Sequence, residues 1–248
     1  MSYFVPLLYG VPVYLLSFGT LLYMIGFVGN LPVPKAIDSA ATGSFSDAVV
    51  IDLLLLSLFA VQHSVMARPG FKRAWTKLVP HVVERSTYVL FTSAALLILF
   101  WGWRPIEGVV WSATSQIAIL IFQTIFWAGW GILLLSTFLI NHFELFGLQQ
   151  VSARLRGRPL PPPEFKTPSL YRWVRHPIYL GLLLAFWATP TMTLGHLLFA
   201  VVNTGYILIG ISLEEQDLIS TFGDQYCRYR ERVSMLLPVP KRRAEPKM

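Results

Sequence analysis

The chain has 248 residues, of which 54% are hydrophobic and only 13% charged, and its formal net charge is +7. Soluble domains usually carry about 25% charged residues, so this composition excludes an ordinary water-soluble domain. A positive charge beside a membrane is explained by anionic lipid and by insertion, so we expect lipid and no nucleic acid as a partner.

Apolar runs of about 20 residues, long enough to cross a hydrocarbon core of about 30 Å, predict an all-α polytopic integral membrane protein. In chain order these runs lie at 4–28, 48–67, 86–103, 116–140 and 193–212. A sixth segment, 174–190, is interrupted by Pro177 in its first turn, where proline is tolerated. We expect about six transmembrane helices, with five as the alternative.

Lysines and arginines between these segments favour the higher count. In the connections 29–47, 68–85, 104–115, 141–175, 190–192 and 213–248 they number 1, 5, 1, 6, 0 and 7. With six spans, 18 of the 20 lysines and arginines lie on one side of the membrane. With five spans, the two connections richest in these residues, 141–175 and 213–248, would lie on opposite sides. Because short cytoplasmic loops are enriched in these residues, we predict both termini and the active site on the cytoplasmic side of a bacterial inner membrane.

The whole chain, 1–248, is predicted to be a single membrane domain. Its first four spans form an N-terminal bundle, 1–140, and residues 165–238 form a helical hairpin followed by a C-terminal helix. The basic tail, 241–248, is expected to be disordered. The single cysteine, Cys227, excludes a cysteine-based metal site within one chain, and we expect no metal.

Polar residues cluster at the predicted cytoplasmic ends of these helices. They are Gln62-His63-Ser64, Arg68, Glu84-Arg85, Asn141-His142, Glu144, Arg175-His176 and Glu214-Glu215. Because polar groups are costly near a hydrocarbon core, any chemistry is expected on that face. Each residue alone could be an interfacial anchor or a helix cap, but histidines at three helix ends exceed what anchoring needs.

Two motifs in the last third of the chain occur in a characteristic order. Residues 171–181 read YRWVRHPIYLG, and residues 214–233 read EEQDLISTFGDQYCRYRERV. Together they resemble the isoprenylcysteine carboxyl methyltransferase superfamily of integral membrane enzymes, over roughly residues 165–238. The resemblance implies a site for S-adenosylmethionine lined by Tyr171, His176, Pro177, Ile178, Tyr179 and Glu214.

The chemistry of that cofactor agrees with these residue types. Its ammonium, carboxylate, ribose and adenine require an acid, cationic or imidazole donors, and aromatic walls. Within the Glu214-Glu215 pair, Glu214 can accept from the ammonium or the ribose. The carboxylate can bind Arg175, His176 and the free N–H groups of the helix that starts near Pro177. For Ile178 and the two motif tyrosines, ordinary helix packing is the alternative.

The C-terminal helix is predicted to be amphipathic. Tyr226 and Tyr229 lie one turn apart on a segment that also carries arginines at 228, 230 and 232. That pattern favours a helix lying on the cytoplasmic membrane surface, with a lid over the cofactor pocket as the alternative.

A second resemblance concerns the N-terminal half. The segments 62–72 (QHSVMARPGFK), 84–85 (ER) and 141–148 (NHFELFGL) look like those of bacterial methanethiol S-methyltransferases and the related NnrU-type membrane proteins. This likeness implies a thiol S-methyltransferase that converts methanethiol and S-adenosylmethionine to dimethyl sulfide and S-adenosylhomocysteine.

This reaction also requires a residue that can take the proton of the acceptor thiol. A simple alkyl thiol has a pKa above the ~8.5 of cysteine, so a nearby base would help. The unranked candidates are His63, His142 and Glu144, with Phe143, Phe146 and Trp187 as expected apolar walls. The carboxyl methyltransferases carry an arginine one turn before the Glu-Glu pair, where it can hold the carboxylate of the substrate. This chain has Gly210 at that position, so a carboxylate acceptor would lack this cationic partner.

Three other functions stay open at this point. The acceptor could be a lipid amine or a prenylcysteine carboxylate, or the chain could be a non-catalytic NnrU-type membrane protein of nitrogen-oxide metabolism. Haem ligation by His63 and His142 is conceivable, but paired axial histidines normally lie deeper in a bundle. The sequence does not define the oligomeric state.

Overall fold

The computed structural model describes residues 4–40, 43–162 and 164–239, so the predicted disordered tail, 241–248, lies outside the described residues. The helices are α1 (Val5–Val28), α2 (Phe45–Ala67), α3 (Pro69–Trp75), α4 (His81–Gly102), α5 (Gln116–Ile140), α6 (His142–Leu145), α7 (Leu148–Leu155), α8 (Pro177–Trp187), α9 (Leu194–Phe222) and α10 (Asp224–Arg232). Two short strands, β1 (Val109–Ser112) and β2 (Thr191–Thr193), and a 3-10 turn at Ser169–Arg172 complete the described elements.

Five helices, α1, α2, α4, α5 and α9, are long and apolar enough to cross a membrane. They contain 22 to 29 residues, and at about 1.5 Å per residue each is longer than a hydrocarbon core of about 30 Å. The prediction of an all-α polytopic membrane protein is confirmed. Glu214 was expected at the end of the last span, but α9 continues for eight residues beyond it, to Phe222.

The sixth predicted span, 174–190, is helical only at α8, which has 11 residues. Pro190 explains its early end, because a proline disfavours helical backbone in the residue before it. The chain then runs extended into β2, which pairs antiparallel with β1. His176 at the start of this segment contacts Glu215 on α9, and Thr191 at its end pairs with Ser112 in β1, so the segment crosses the bundle although its helix alone is too short.

The pairing of β1 with β2 defines the two ends of the molecule. β1 lies between α4 and α5, and β2 lies between α8 and α9, so both connections lie at one end, here called the sheet end. Glu214 lies 20 residues along α9 from Leu194, about 30 Å away at 1.5 Å per residue. The opposite end, here called the site end, therefore carries both C-terminal motifs.

A pair of glycines fixes α8 against α5. A Cβ added to Gly129 would lie 2.6 Å from the carbonyl oxygen of Gly181, and one added to Gly181 would lie 2.5 Å from that of Gly129. Only glycine at both positions permits this approach of the two backbones, a packing that small residues allow between membrane helices. The helix that follows the RHP motif is thereby held in a defined position.

Aromatic side chains fill the bundle towards the sheet end. Phe27 and Trp103 are fully buried, and both rings meet Phe199 edge to face, with centroids 6.1 and 5.7 Å apart. The Trp103 indole N–H donates to the Ile37 carbonyl at 3.1 Å, which ties the first connection to α4. This end is closed and tightly packed, whereas the site end contains cavities.

Candidate active site

Two adjoining cavities of about 540 Å³ each lie at the site end, within the size range of small-molecule pockets. The inner cavity extends between the helices towards an apolar floor of Met24, Leu96, Leu99, Phe186, Phe199 and Ile207. The outer cavity is lined by the connections and by Phe165, Phe222, Tyr226 and Tyr229. Both are lined by Lys72, Arg85, Ile140, Leu145, Tyr171, Arg175, His176 and Glu214. This shared zone is called the junction below.

Most of the predicted cofactor residues lie at these cavities. Tyr171, Arg175, His176 and Glu214 line the junction, and Ile178 and Tyr179 line the inner cavity. Pro177 and Glu215 line neither cavity. Pro177 is buried at the first position of α8. A backbone N–H at this position would have no partner within the helix, so proline costs no hydrogen bond there.

The two adjacent glutamates have different surroundings. The Glu215 side chain is 12% exposed, and its Oε1 accepts from Arg175 Nε at 2.7 Å and lies 3.1 Å from His176 Nε2. The Glu214 side chain is 44% exposed, and its Oε2 lies 3.7 Å from His176 Nδ1. His176 therefore sits between a carboxylate that is engaged inside the protein and one that is available to a ligand.

Arg175 organises the C-terminal segment. Its Nη1 donates to the carbonyls of Arg230 at 3.1 Å and Val233 at 2.6 Å, and its backbone N–H donates to Ser234 at 2.9 Å. With the Glu215 contact added, the guanidinium is engaged on several sides, and the residue is only 8% exposed. This geometry favours a structural role over the predicted contact with a cofactor carboxylate.

The C-terminal helix α10 turns its aromatic face to the protein. Tyr226 is 2% exposed, and the Tyr229 hydroxyl donates to the Tyr171 carbonyl at 2.6 Å. Burial raises the pKa of Tyr229 to about 12, so the hydroxyl stays protonated and keeps this bond. The apolar face predicted to lie on lipid instead forms a wall of the outer cavity, while the arginines at 228, 230 and 232 are exposed.

The candidate bases are not brought together. His63 lines the inner cavity, where the Tyr88 hydroxyl lies 2.9 Å from its Nε2 and the Thr92 hydroxyl 3.2 Å from its Nδ1. Glu144 lines the outer cavity, is exposed, and accepts from the Asn141 amide at 2.9 Å.

His142 lies in a third and smaller cavity of about 150 Å³. Its Nε2 lies 3.1 Å from the Tyr14 hydroxyl and its Nδ1 2.9 Å from the Thr137 hydroxyl, so both ring nitrogens have partners. Its ring stacks on Phe138 with centroids 4.2 Å apart. Burial lowers the pKa of His142, and unlike His63 the residue does not line the inner cavity.

Several cavity residues were missed from the sequence. Lys72 and Arg85 belong to the segments 62–72 and 84–85 that carry the resemblance, but the sequence assigned them no contact with the cofactor, because nothing in their spacing shows that α3 and α4 meet at the junction. Tyr88 carried a usable signal, since it lies three residues after Arg85 and so on the same helix face. The predicted walls Phe143, Phe146 and Trp187 do not line the inner cavity.

Comparison with known proteins decides the family. No family model matches the chain, and no solved structure matches it. Methanethiol S-methyltransferase 1 of Bradyrhizobium diazoefficiens is 57% identical over 235 residues, which cover 95% of this chain and 82% of that protein. Methanethiol S-methyltransferase of Mycobacterium tuberculosis is 52% identical over 242 residues, 98% and 99% of the two chains. The chain belongs to the methanethiol S-methyltransferase family.

A more distant relative is Nurim of Danio rerio, 34% identical over 183 residues, or 71% of this chain and 66% of that protein. Membership of this family confirms the resemblance to methanethiol S-methyltransferases predicted from the segments 62–72, 84–85 and 141–148, and the chain is a methyltransferase. The cavities described above are therefore the place to look for the sites of a methyl donor and an acceptor.

Proposed function

We propose that the chain transfers a methyl group from S-adenosylmethionine to methanethiol, giving dimethyl sulfide and S-adenosylhomocysteine. In this reaction the thiol sulfur gains a bond to the methyl carbon, the bond from that carbon to the cofactor sulfur breaks, and the thiol proton leaves. The observation that carries the proposal is the opening of a charged, aromatic-walled junction directly onto an apolar inner cavity. The names of the relatives supply the substrate.

The residues of the junction and the outer cavity fit the cofactor. Glu214 offers a half-exposed carboxylate to an ammonium or a ribose hydroxyl, and His176 Nδ1 lies 3.7 Å from that carboxylate. Aromatic rings at Phe222 and Tyr226 offer a wall for adenine. When bound, the cofactor supplies an electrophilic methyl group, and the protein contributes positioning and exclusion of water.

The inner cavity fits a small neutral thiol. A Cβ added to Gly210 would meet only the Tyr179 hydroxyl, at 3.9 Å, so this position offers space instead of the cation found there in the carboxyl methyltransferases. The floor beyond it is apolar and lies inside the bundle. A thiolate there is poorly hydrated, which makes its sulfur a stronger nucleophile.

Of the three candidate bases, His63 is the one that lines the inner cavity, and we assign it the thiol proton. The Tyr88 and Thr92 hydroxyls lie within hydrogen-bonding distance of its ring nitrogens and hold the ring at the cavity wall. As the sulfur attacks the methyl carbon, a ring nitrogen takes the proton from sulfur. His142 and Glu144 lie outside this cavity and are assigned no step.

Substitution at Gly210 tests the acceptor site. Gly210→Arg should place a long charged side chain in the thiol space, so methylation of methanethiol should fall below detection while S-adenosylhomocysteine still binds. Gly210→Ala is the matched control, because its Cβ makes only an ordinary contact, and it should retain activity. Full thiol methylation by Gly210→Arg would contradict the assignment of this cavity.

A further inference from the structure

The carboxylate of the proposed cofactor needs a cationic partner, and the arginine expected to supply it is engaged elsewhere. Arg175 contacts Glu215 and two backbone carbonyls of the C-terminal segment. Arg68, another cation of the inner cavity, forms an ion pair with Asp217 at 3.0 Å. The carboxylate partner must therefore come from other residues of the junction.

Lys72 reaches the junction from α3. Its side chain lines both cavities, yet among the described residues its ammonium group has neither an ion pair nor a hydrogen-bond partner. Burial and repulsion from Arg85 and Arg68 lower the pKa of Lys72 by more than the Glu84 and Asp217 carboxylates raise it. A half-buried ammonium beside other cations is stabilised when an anion binds next to it.

Arg85 reaches the junction from the first turns of α4. Its Nε donates to the Leu145 carbonyl at 2.8 Å, and its guanidinium lies over the Tyr88 ring, 5.0 Å from the centroid. These two contacts fix the plane of the group. Its terminal Nη groups have no partner among residues 4–40, 43–162 and 164–239, and such a fixed pair of N–H groups matches a carboxylate.

We propose that Lys72 and Arg85 bind the α-carboxylate of S-adenosylmethionine, while Glu214 on α9 binds its ammonium group. This assignment rests on the proposed function. It gives each charge of the amino-acid part of the cofactor a partner of opposite sign from a different helix. The cofactor site then includes residues from the N-terminal half of the chain, outside the C-terminal motif.

Two nucleosides separate this contact from cofactor binding in general. S-adenosylhomocysteine carries the amino-acid part, whereas 5′-methylthioadenosine has the same thioether nucleoside without it. Titration calorimetry on the full chain in lipid nanodiscs should show that Lys72→Met weakens S-adenosylhomocysteine binding at least about tenfold. Binding of 5′-methylthioadenosine should not change.

Lys77→Met is the matched control, because Lys77 lies two residues beyond α3 and is exposed, and it should bind both nucleosides like the wild type. Arg85→Lys retains the positive charge but lacks the planar pair of N–H donors. It should weaken S-adenosylhomocysteine binding less than Lys72→Met does, and it should leave 5′-methylthioadenosine binding unchanged. Wild-type affinity in Lys72→Met and Arg85→Gln, or an equal loss for both nucleosides, would overturn the assignment. Failure of the wild type to bind either nucleoside would overturn the proposed cofactor itself.

Discussion

At the scale of single residues, the Glu214-Glu215 pair shows how neighbours in sequence take different roles. Consecutive residues of a helix point about 100° apart. Glu215 therefore faces Arg175 and His176 inside the protein, while Glu214 faces the cavities. The sequence predicted the importance of the pair but not this division, because Glu215 contacts Arg175 and His176, and these two residues in turn bind the segment 233–235, which returns from beyond α10.

Replacement of Glu214 tests its proposed contact with the cofactor. Glu214→Gln keeps the shape and removes the charge, so S-adenosylhomocysteine affinity should fall by about 1.5–3 kcal/mol, the cost of a lost hydrogen bond to a charged group. Calorimetric titration measures this loss. Gln216→Ala, an exposed change on the same helix, should leave the affinity unchanged, and wild-type affinity in Glu214→Gln would remove the residue from the site.

Replacement of His63 tests the proposed base. His63→Ala should lower the rate of dimethyl sulfide formation at neutral pH by about a hundredfold or more, with cofactor affinity retained. Because the thiolate fraction rises with pH without any base, the defect should shrink as the pH approaches the pKa of the thiol, above ~8.5. His81→Ala, at the exposed start of α4, serves as the control. A wild-type rate in His63→Ala at neutral pH would contradict the assignment.

At the scale of helices, the position of the RHP motif depends on the contact between α5 and α8. Gly129→Ala would bring its Cβ to 2.6 Å from the Gly181 carbonyl and 2.8 Å from the Ala185 nitrogen, both backbone atoms. We expect a loss of about 1–3 kcal/mol of stability, typical of overpacking, and weaker S-adenosylhomocysteine binding because α8 carries the site motif. Thermal unfolding in detergent measures the first effect.

Gly131→Ala is the control on the same helix, because nothing lies within 4 Å of its added Cβ. Alanine is favoured over glycine in a helix by about 1 kcal/mol, so this variant should be as stable as the wild type or slightly more stable. A Gly129→Ala protein with wild-type stability would show that the two backbones are not held together.

The elements also show which features the sequence could reveal. The long apolar helices were predictable, because each carries a continuous apolar run. The length of α8 was not, because the chain after α8 enters β2, and β2 pairs with a strand far away in the sequence: Thr191 lies opposite Ser112, 79 residues earlier. Likewise, the inward face of α10 depends on contacts with Phe165 and Tyr171, which lie on a distant connection.

At the scale of the whole molecule, the charge asymmetry predicts the orientation. Of the 16 lysines and arginines in the described residues, 14 lie in the connections at the site end, and Lys35 and Arg104 lie in the other connections. We therefore expect the site end to face the cytoplasm. Reporter fusions after residue 112, at the sheet end, and after residue 160, at the site end, should report opposite sides, with residue 160 cytoplasmic. Finding both fusions on one side would contradict this orientation and the crossing of α8.

The reaction itself is tested by supplying purified protein in nanodiscs with methanethiol and S-adenosylmethionine that carries a deuterated methyl group. Mass spectrometry of the headspace should detect dimethyl sulfide with one labelled methyl, formed in equal amount to S-adenosylhomocysteine. A prenylcysteine or lipid amine offered in place of the thiol should remain unlabelled. Labelled methyl on either of these acceptors, with no labelled thioether from methanethiol, would contradict the account.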